Sequence, residues 1–367
     1  MSQTFVNINN SESYTEPLPF QHFVGDYSSM SNPTNIPSAT TPSQCDIECR
    51  NNASCEVWKF ENFNSDLTIA GATLNNPTAI CMTRLRGNGY DYADGELVHE
   101  DILICDTNNN VIRKLIKPKS DSVLSYYSIQ TLRTPLLNKP TGIYCHRTND
   151  KNNIIEYLYV CDTDNHVVRK IHFNGVDETI IAGTFGVSGY TGDHGPATSA
   201  TLNKPTGIVC SDYFAYFYVC DSLNNAIRKI DRIHNNILTF IGDQRFFDYD
   251  FPDVGVSYIY SLNSPISIAI HEYEPYAYLY VLQNNSILKF SIHDSTSTSN
   301  PIFLSGINSS SMDIDNLGYV YINNINTNEV IKYDSTGQII YSIGGFSNIK
   351  GICLDLNIED NLSLIHI

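Results

Sequence analysis

Apolar residues run through most of this chain in short bursts closed by turn-forming clusters: ILIC at 102–105, YLYVC at 157–161, TIIAG at 179–183, FYVC at 217–220 and LYVL at 279–282. The bursts are rich in β-branched and aromatic residues, and none carries the i, i+3, i+4 spacing of an amphipathic helix, so they predict short strands.

The bursts belong to a repeat. Residues 74–81 read LNNPTAIC, 137–145 LNKPTGIYC, 202–210 LNKPTGIVC and 262–270 LNSPISIAI. A second signature follows each: ICDTNNNVIRKL from Ile104, VCDTDNHVVRKI from Val160, VCDSLNNAIRKI from Val219 and the weaker VLQNNSILKF from Val281. It recurs at Arg113, Arg169, Arg228 and Lys289, with a degenerate copy ending at Lys332; the unequal steps mean variable loops on a fixed core. Each unit reads as four short strands joined by turns, the pattern of a propeller blade.

These motifs resemble the NHL repeat: a leucine, a proline and Gly-Ile before the first strand, an Asp-x-x-Asn-His type turn, then an Arg-Lys-Ile strand. TIIAGTFGVSGYTGDHGPATSATLNKPTGI at 179–208 is similar to that family's link between blades. The resemblance is close over residues 65–235 and weaker to about 355. It implies an all-β fold, a β-propeller of about six four-stranded blades. The count adds a divergent unit around Val57-Trp58-Lys59 with LTIAGA at 67–72, and becomes seven if SNIKGICLDL at 347–356 opens another. FQHFVG at 20–25 is a candidate N-terminal strand completing the last blade. The expected organisation is a flexible arm over 1–17, a single propeller over 18–360 and a non-native or frayed tail over 361–367, where NLSLIHI resembles translated adaptor sequence. Truncation there would leave the ring incompletely closed.

The recurring residues read as architecture. Pro77, Pro140, Pro205 and Pro265 open the first strands, and Arg113, Arg169 and Arg228 each stand seven residues after Asp106, Asp162 and Asp221, within reach across a hairpin. Cys105, Cys161 and Cys220 hold equivalent positions, as do Cys145 and Cys210, with Cys81 and Cys353 nearby. Small buried hydrophobes suit such sites. Cys45, Cys49 and Cys55 match no standard zinc spacing.

Strand parity puts the second-to-third turn and the link to the next blade on one face. That face, the candidate binding surface, would carry Asp106, Asn109, Asp162, Asn165, His166, Asp193, His194, Asp221 and Asn224. No GxSxG elbow, HExxH helix or P-loop occurs, and no catalytic residue or metal ligand is assigned.

A net charge of −17 and a pI near 4.8 disfavour nucleic acid. The polar start MSQTFVNINN and the lack of a bilayer-length apolar run point to a cytoplasmic protein with no membrane span. The leading expectation is a non-enzymatic scaffold binding a protein or peptide, with no cofactor. The resemblance also implies two alternatives. One is a metal-dependent enzyme of the amidating-lyase or lactonase type with a metal ion in the central channel, for which His146 and His271 lie near strand ends. The other is an RNA-binding domain, with Arg133, Lys139, Arg147 and Lys151 as the basic cluster.

Overall fold

The computed structural model describes residues 3–7, 58–61, 74–82, 101–116, 128–132, 136–150, 153–173, 178–211, 215–243, 258–273, 276–292, 301–346, 348–355 and 363–366. They form an all-β propeller of five four-stranded sheets and one five-stranded sheet. FQHFVG, LTIAGA, Cys45, Cys49 and Cys55 lie outside the described residues.

Four of the sheets are antiparallel meanders, a fifth is such a meander with one parallel strand added, and the last mixes parallel and antiparallel pairs. In one of the four Pro140–Asp150, Asn153–Asp162, Val167–His172 and Glu178–Ala182 pair in sequence order. The first strands stand side by side around the axis: Pro77–Met82, Pro140–Asp150, Pro205–Ser211, Pro265–Tyr273, Met312–Ile314 and Ile352–Asp355. Ile352–Asp355 packs back against Pro77–Met82, so the inner ring is shut, and the opening that truncation would have caused is absent there.

The last sheet draws on both ends of the chain. Ser363–His366 pairs antiparallel with Ile352–Asp355, and Gln3–Asn7 adds in parallel between Ser363–His366 and Trp58–Glu61. An N-terminal strand thus joins the last sheet, from residues 3–7. The segments expected to be arm and tail contain the β-branched and aromatic runs TFV and LIH, which suit strands.

The core is divided into layers between neighbouring sheets. Leu103 and Cys105 meet Ile143 and Val160, while Val209, Tyr218 and Phe240 meet Leu279, Leu288 and Phe290. Cys353 meets Ile80 and Ile104 across the closing joint. Burying each large aliphatic contributes roughly 1.5–3 kcal/mol. In the five-stranded sheet Tyr258–Ile259 adds in parallel outside Ile237–Gly242 and seats Tyr258 between Phe240 and Phe290, at ring separations of 5.7 and 5.0 Å.

The Pro-Thr-Gly signature is a β-bulge. Pro140 pairs with Asp162 and Gly142 with Cys161, so Thr141 is the extra residue; Thr78 stands at the same place in its own sheet. A bulge re-aims the side chain it inserts. Thr141 Oγ1 lies 2.6 Å from Thr163 Oγ1, which donates to the Pro205 carbonyl of the next sheet at 2.8 Å. Thr78 and Thr107 repeat this with Pro140, and Thr206 and Ser222 with Pro265. A belt of hydroxyls thus stitches consecutive first strands.

Glycine after the threonine follows from the closeness of that stitch. A Cβ on Gly142 would stand 2.3 Å from the Thr206 carbonyl oxygen and 3.0 Å from Cys161 Sγ. Gly142→Ala is expected to cost about 1–3 kcal/mol of stability through overpacking. Gly195→Ala, where the new carbon would meet Gly192 O at 3.4 Å, should be near neutral. Urea midpoints of the two variants test this.

Candidate functional site

The expected binding residues fall at three turns and, for Asp193 and His194, in one inter-sheet link. Each turn is tied to the segment entering its own sheet's first strand: Asp164 N–H donates to Asn138 O at 3.0 Å and Leu223 N–H to Asn203 O at 3.1 Å. The turns and the inter-sheet links therefore do share a face.

On that face the acidic residues point inward. Asp106, Asp162 and Asp221 are fully buried. Asp162 accepts from Asn138 N–H at 2.7 Å, Asn165 Nδ2 at 2.8 Å and Arg169 Nε at 2.6 Å. Asp106 accepts from Asn75 N–H, Asn109 Nδ2 and Arg113 Nε at 2.7, 2.8 and 2.8 Å. Asp221 takes Asn203 N–H at 2.6 Å and Asn224 Nδ2 at 2.8 Å. The carboxylates and asparagines expected to meet a ligand thus hold the turn and the incoming backbone.

The third repeat departs in its arginine. Arg228 NH1 stands 3.3 Å from Asp221, while NH2 reaches Asp193 of the preceding link at 2.6 Å and Nε has no hydrogen-bond partner. Asp193 also accepts from Thr239 N–H at 3.1 Å. In the other repeats the guanidinium serves its own fourth strand, Arg113 bonding Thr131 and Arg169 pairing with Glu178. Sharing Arg228 between two carboxylates leaves Asp221 less well compensated. Burial pushes its carboxyl up to about 6, a rise that Arg228 and the amide donors only partly offset.

His166 is a strap. At φ +59° it ends a 3-10 turn in the left-handed region, and its Nδ1 accepts Lys204 N–H of the next link at 3.2 Å. Asn110, Asn225 and Asn328 do the same to Lys139, Ser264 and Asn348 at 2.8, 2.8 and 3.1 Å. His194, also at positive φ, donates its backbone N–H to Ile237 O at 2.8 Å. The site residues are thus distributed over separate turns and do not converge on one point.

The register corrects one sequence alignment. Lys229 stands opposite Tyr218, Lys289 opposite Tyr280 and Lys332 opposite Tyr321, whereas Arg228 stands opposite Val219. Lys289 and Lys332 therefore continue the lysine of Arg-Lys, and Leu288 and Ile331 occupy the arginine position. Lys170, Lys229, Lys289 and Lys332 lie over tyrosine rings at 3.7–4.3 Å.

The cysteines divide. Cys105, Cys161 and Cys220 are buried thiols, and burial raises each above the ordinary range. Cys81 and Cys145, expected to pack as thiols, form a disulfide between two adjacent first strands, with Cα atoms 6.4 Å apart. The stagger of those strands brings together positions that the repeat alignment keeps apart.

The inner ring encloses a cavity of about 1000 Å³. At the turn-bearing end it is lined by Thr78, Thr141, Thr206, Ser310 and Lys350, and along its length by Ile143, Ile208, Ile268, Met312 and Ile352. His271, Glu272, Tyr273, Tyr276 and Asp315 line the opposite end. His271 Nε2 faces the Asn316 carbonyl at 3.2 Å, and burial lowers its pKa. Asp315 accepts the Leu317 and Tyr319 amides and the Tyr321 hydroxyl. Among the described residues no three His, Cys, Asp or Glu side chains are grouped to hold a metal ion.

The fold and its cavity define the chain as a β-propeller. No family model matches it, nor does any curated protein. It is similar to a chain in the crystal structure of a nidogen/laminin complex, at 10% identity and TM-score 0.52, covering 79% of this chain and 85% of that one. It is also similar to a gluconolactonase from Xanthomonas campestris, at 12% identity and TM-score 0.46, covering 69% and 74%. No helix among the described residues is long and apolar enough to cross a membrane.

The raised Asp221 carboxyl sets a sign. Between pH about 4 and about 6 the folded chain holds a proton that the unfolded chain has released, so Asp221 makes stability fall as pH rises through that window. Asp221→Asn should remove this component. The urea midpoint of the parent relative to the variant is therefore expected to fall between pH 4 and 6.5.

Proposed function

We propose that the chain is a six-bladed NHL-type propeller serving as a non-enzymatic scaffold, and that it recruits a protein or peptide through the turn-and-connector face. The observation that carries this reading is what that face leaves outward. Its repeated aspartates Asp106, Asp162 and Asp221 are turned in to hold the loops, while Phe185 and Leu223 remain 55% and 54% exposed, with Leu136 and Val187 also open. Phe185 is supported by Arg169, whose guanidinium lies 5.3 Å from the ring centroid. The loop bearing Leu223 is bonded to the connector through Asn224 Nδ2 and Gly189 O at 2.8 Å. Apolar side chains on rigid, pre-ordered loops lose little conformational freedom on binding, the condition under which a modest patch yields useful affinity.

The unit runs from the strand at 3–7 to the strand at 363–366, in place of a separate arm and tail. The enzymatic alternative has no grouped metal donors behind it among the described residues. Of the basic residues behind the RNA reading, Lys139 pairs with Asp164 at 3.3 Å, and Arg133 and Lys151 lie outside the described residues. A cytoplasmic location is not part of the proposal, because a Cys81–Cys145 bridge is the chemistry of oxidising compartments.

Phe185→Asp and Leu223→Asp, together, are expected to leave the melting temperature within a few degrees of the parent and to abolish partner capture. The measurement is quantitative cross-linking of parent and double variant in the same cell extract. Equal partner recovery by the folded double variant overturns the proposal.

A further inference from the structure

We infer that the end of the central cavity opposite the turn-and-connector face binds an organic cation carrying an apolar body. Two tyrosines stand open at that rim. Tyr273 and Tyr276 are 46% and 53% exposed, their ring centroids lie 5.6 Å apart, and both line the cavity. Exposed aromatic rings flanking a hole offer their negative faces to a cation.

The charge around the cavity favours the same ligand. Glu272 and Asp313 line it against Lys350, which belongs to the opposite end, while Asp315 is paired with Lys332 at 3.5 Å, and the whole protein carries a net charge of −17. Such a field draws cations to the opening. Glu272 is anchored by the Ser211 hydroxyl, which orients a carboxylate beside the rings. His271 packs 4.9 Å from Tyr273, and burial lowers its pKa, which favours the uncharged ring. The neighbouring cation, Lys289, is held over Tyr278 and Tyr280 at 4.3 and 5.2 Å.

Behind the rim the wall is aliphatic, from Ile268 and Ile270 to Ile314. An alkyl or aryl body would displace water there. A bare metal ion would find apolar wall and carboxylates already engaged by the Leu354 amide and the Leu317 and Tyr319 amides. An ammonium or guanidinium group with a hydrocarbon chain satisfies rings, carboxylate and wall together.

Calorimetric titration of the full chain with hexyltrimethylammonium, 1-hexanol and hexanoate tests this. The cation should bind saturably, at least about tenfold more tightly than the alcohol, with hexanoate weaker still. Tyr273→Ala with Tyr276→Ala should weaken cation binding about tenfold or more, and Glu272→Gln several-fold. Phe185→Asp, on the other face, should leave it unchanged. Both tyrosines are exposed, so circular dichroism of the double variant should match the parent. Equal binding of cation and hexanoate, no binding of any probe at millimolar concentration, or unchanged cation binding by the folded double variant each overturns the inference. None of these outcomes bears on the proposed protein-binding face.

Discussion

The propeller depends on a buried hydrogen-bond acceptor at the end of the second strand, seen in five of the described sheets as Asp106, Asp162, Asp221, Gln283 and Asn323. There the chain entering the first strand passes beneath a turn and presents a backbone N–H to a partly buried site. Asn75, Asn138 and Asn203 carry those donors, and Asp106, Asp162 and Asp221 accept them. An unmet donor at such a place costs about 1–3 kcal/mol. A carboxylate meets it strongly but is itself costly to bury alone. The asparagine three residues on and the arginine seven residues on are the compensation, and the four groups stand or fall together.

The later sheets show this coupling by dispensing with it. Where the acceptor is Gln283, it takes Asn263 N–H at 2.9 Å, and the arginine position is Leu288. In the next sheet Asn323 accepts Ser310 and Ser311 amides, and the arginine position is Ile331. A neutral amide asks for no counter-charge, so carboxylate and guanidinium are lost as a pair. Removing one partner of a buried pair costs about 3–5 kcal/mol, whereas exchanging both for neutral groups is often close to even. The sheets that look degenerate have solved the same backbone problem with uncharged groups.

This explains what was legible in the sequence. The apolar bursts, the four-strand unit and the shared face of turns and connectors follow from periodicity and parity, and they match the structure. The meaning of the repeated letters was only half visible. The Thr78, Thr141 and Thr206 belt needs a bulge, and the Asn110 and His166 straps need a neighbouring blade, so neither follows from local pattern. The arginine register slipped at Lys289 because Gln283 and Ser286 close a shorter turn than the 3-10 turns before it, and counting residues assumes equal turns. The parallel insertion of Gln3–Asn7 beside Ser363–His366 joins the ends of the chain, a pairing that no local signal encodes.

The same logic separates structure from recognition. A residue recurring at every turn is answering a demand that every blade makes, and here that demand is satisfied internally by Asp162, Asn165 and Arg169. Specificity must come from side chains with no counterpart in the neighbouring units. At the two proposed sites those are Phe185 and Leu223 on one face, and His271, Glu272, Tyr273 and Tyr276, all from one hairpin, at the far end of the cavity. Repeat analysis averages such residues away, because it rewards whatever is shared. The two ends of the ring also differ in kind: one is rimmed by hydroxyls that donate into the next strand, and the other is aromatic and acidic. A ring of repeated sheets thus becomes chemically polar along its axis, so that anything entering the cavity is oriented by which end it meets first.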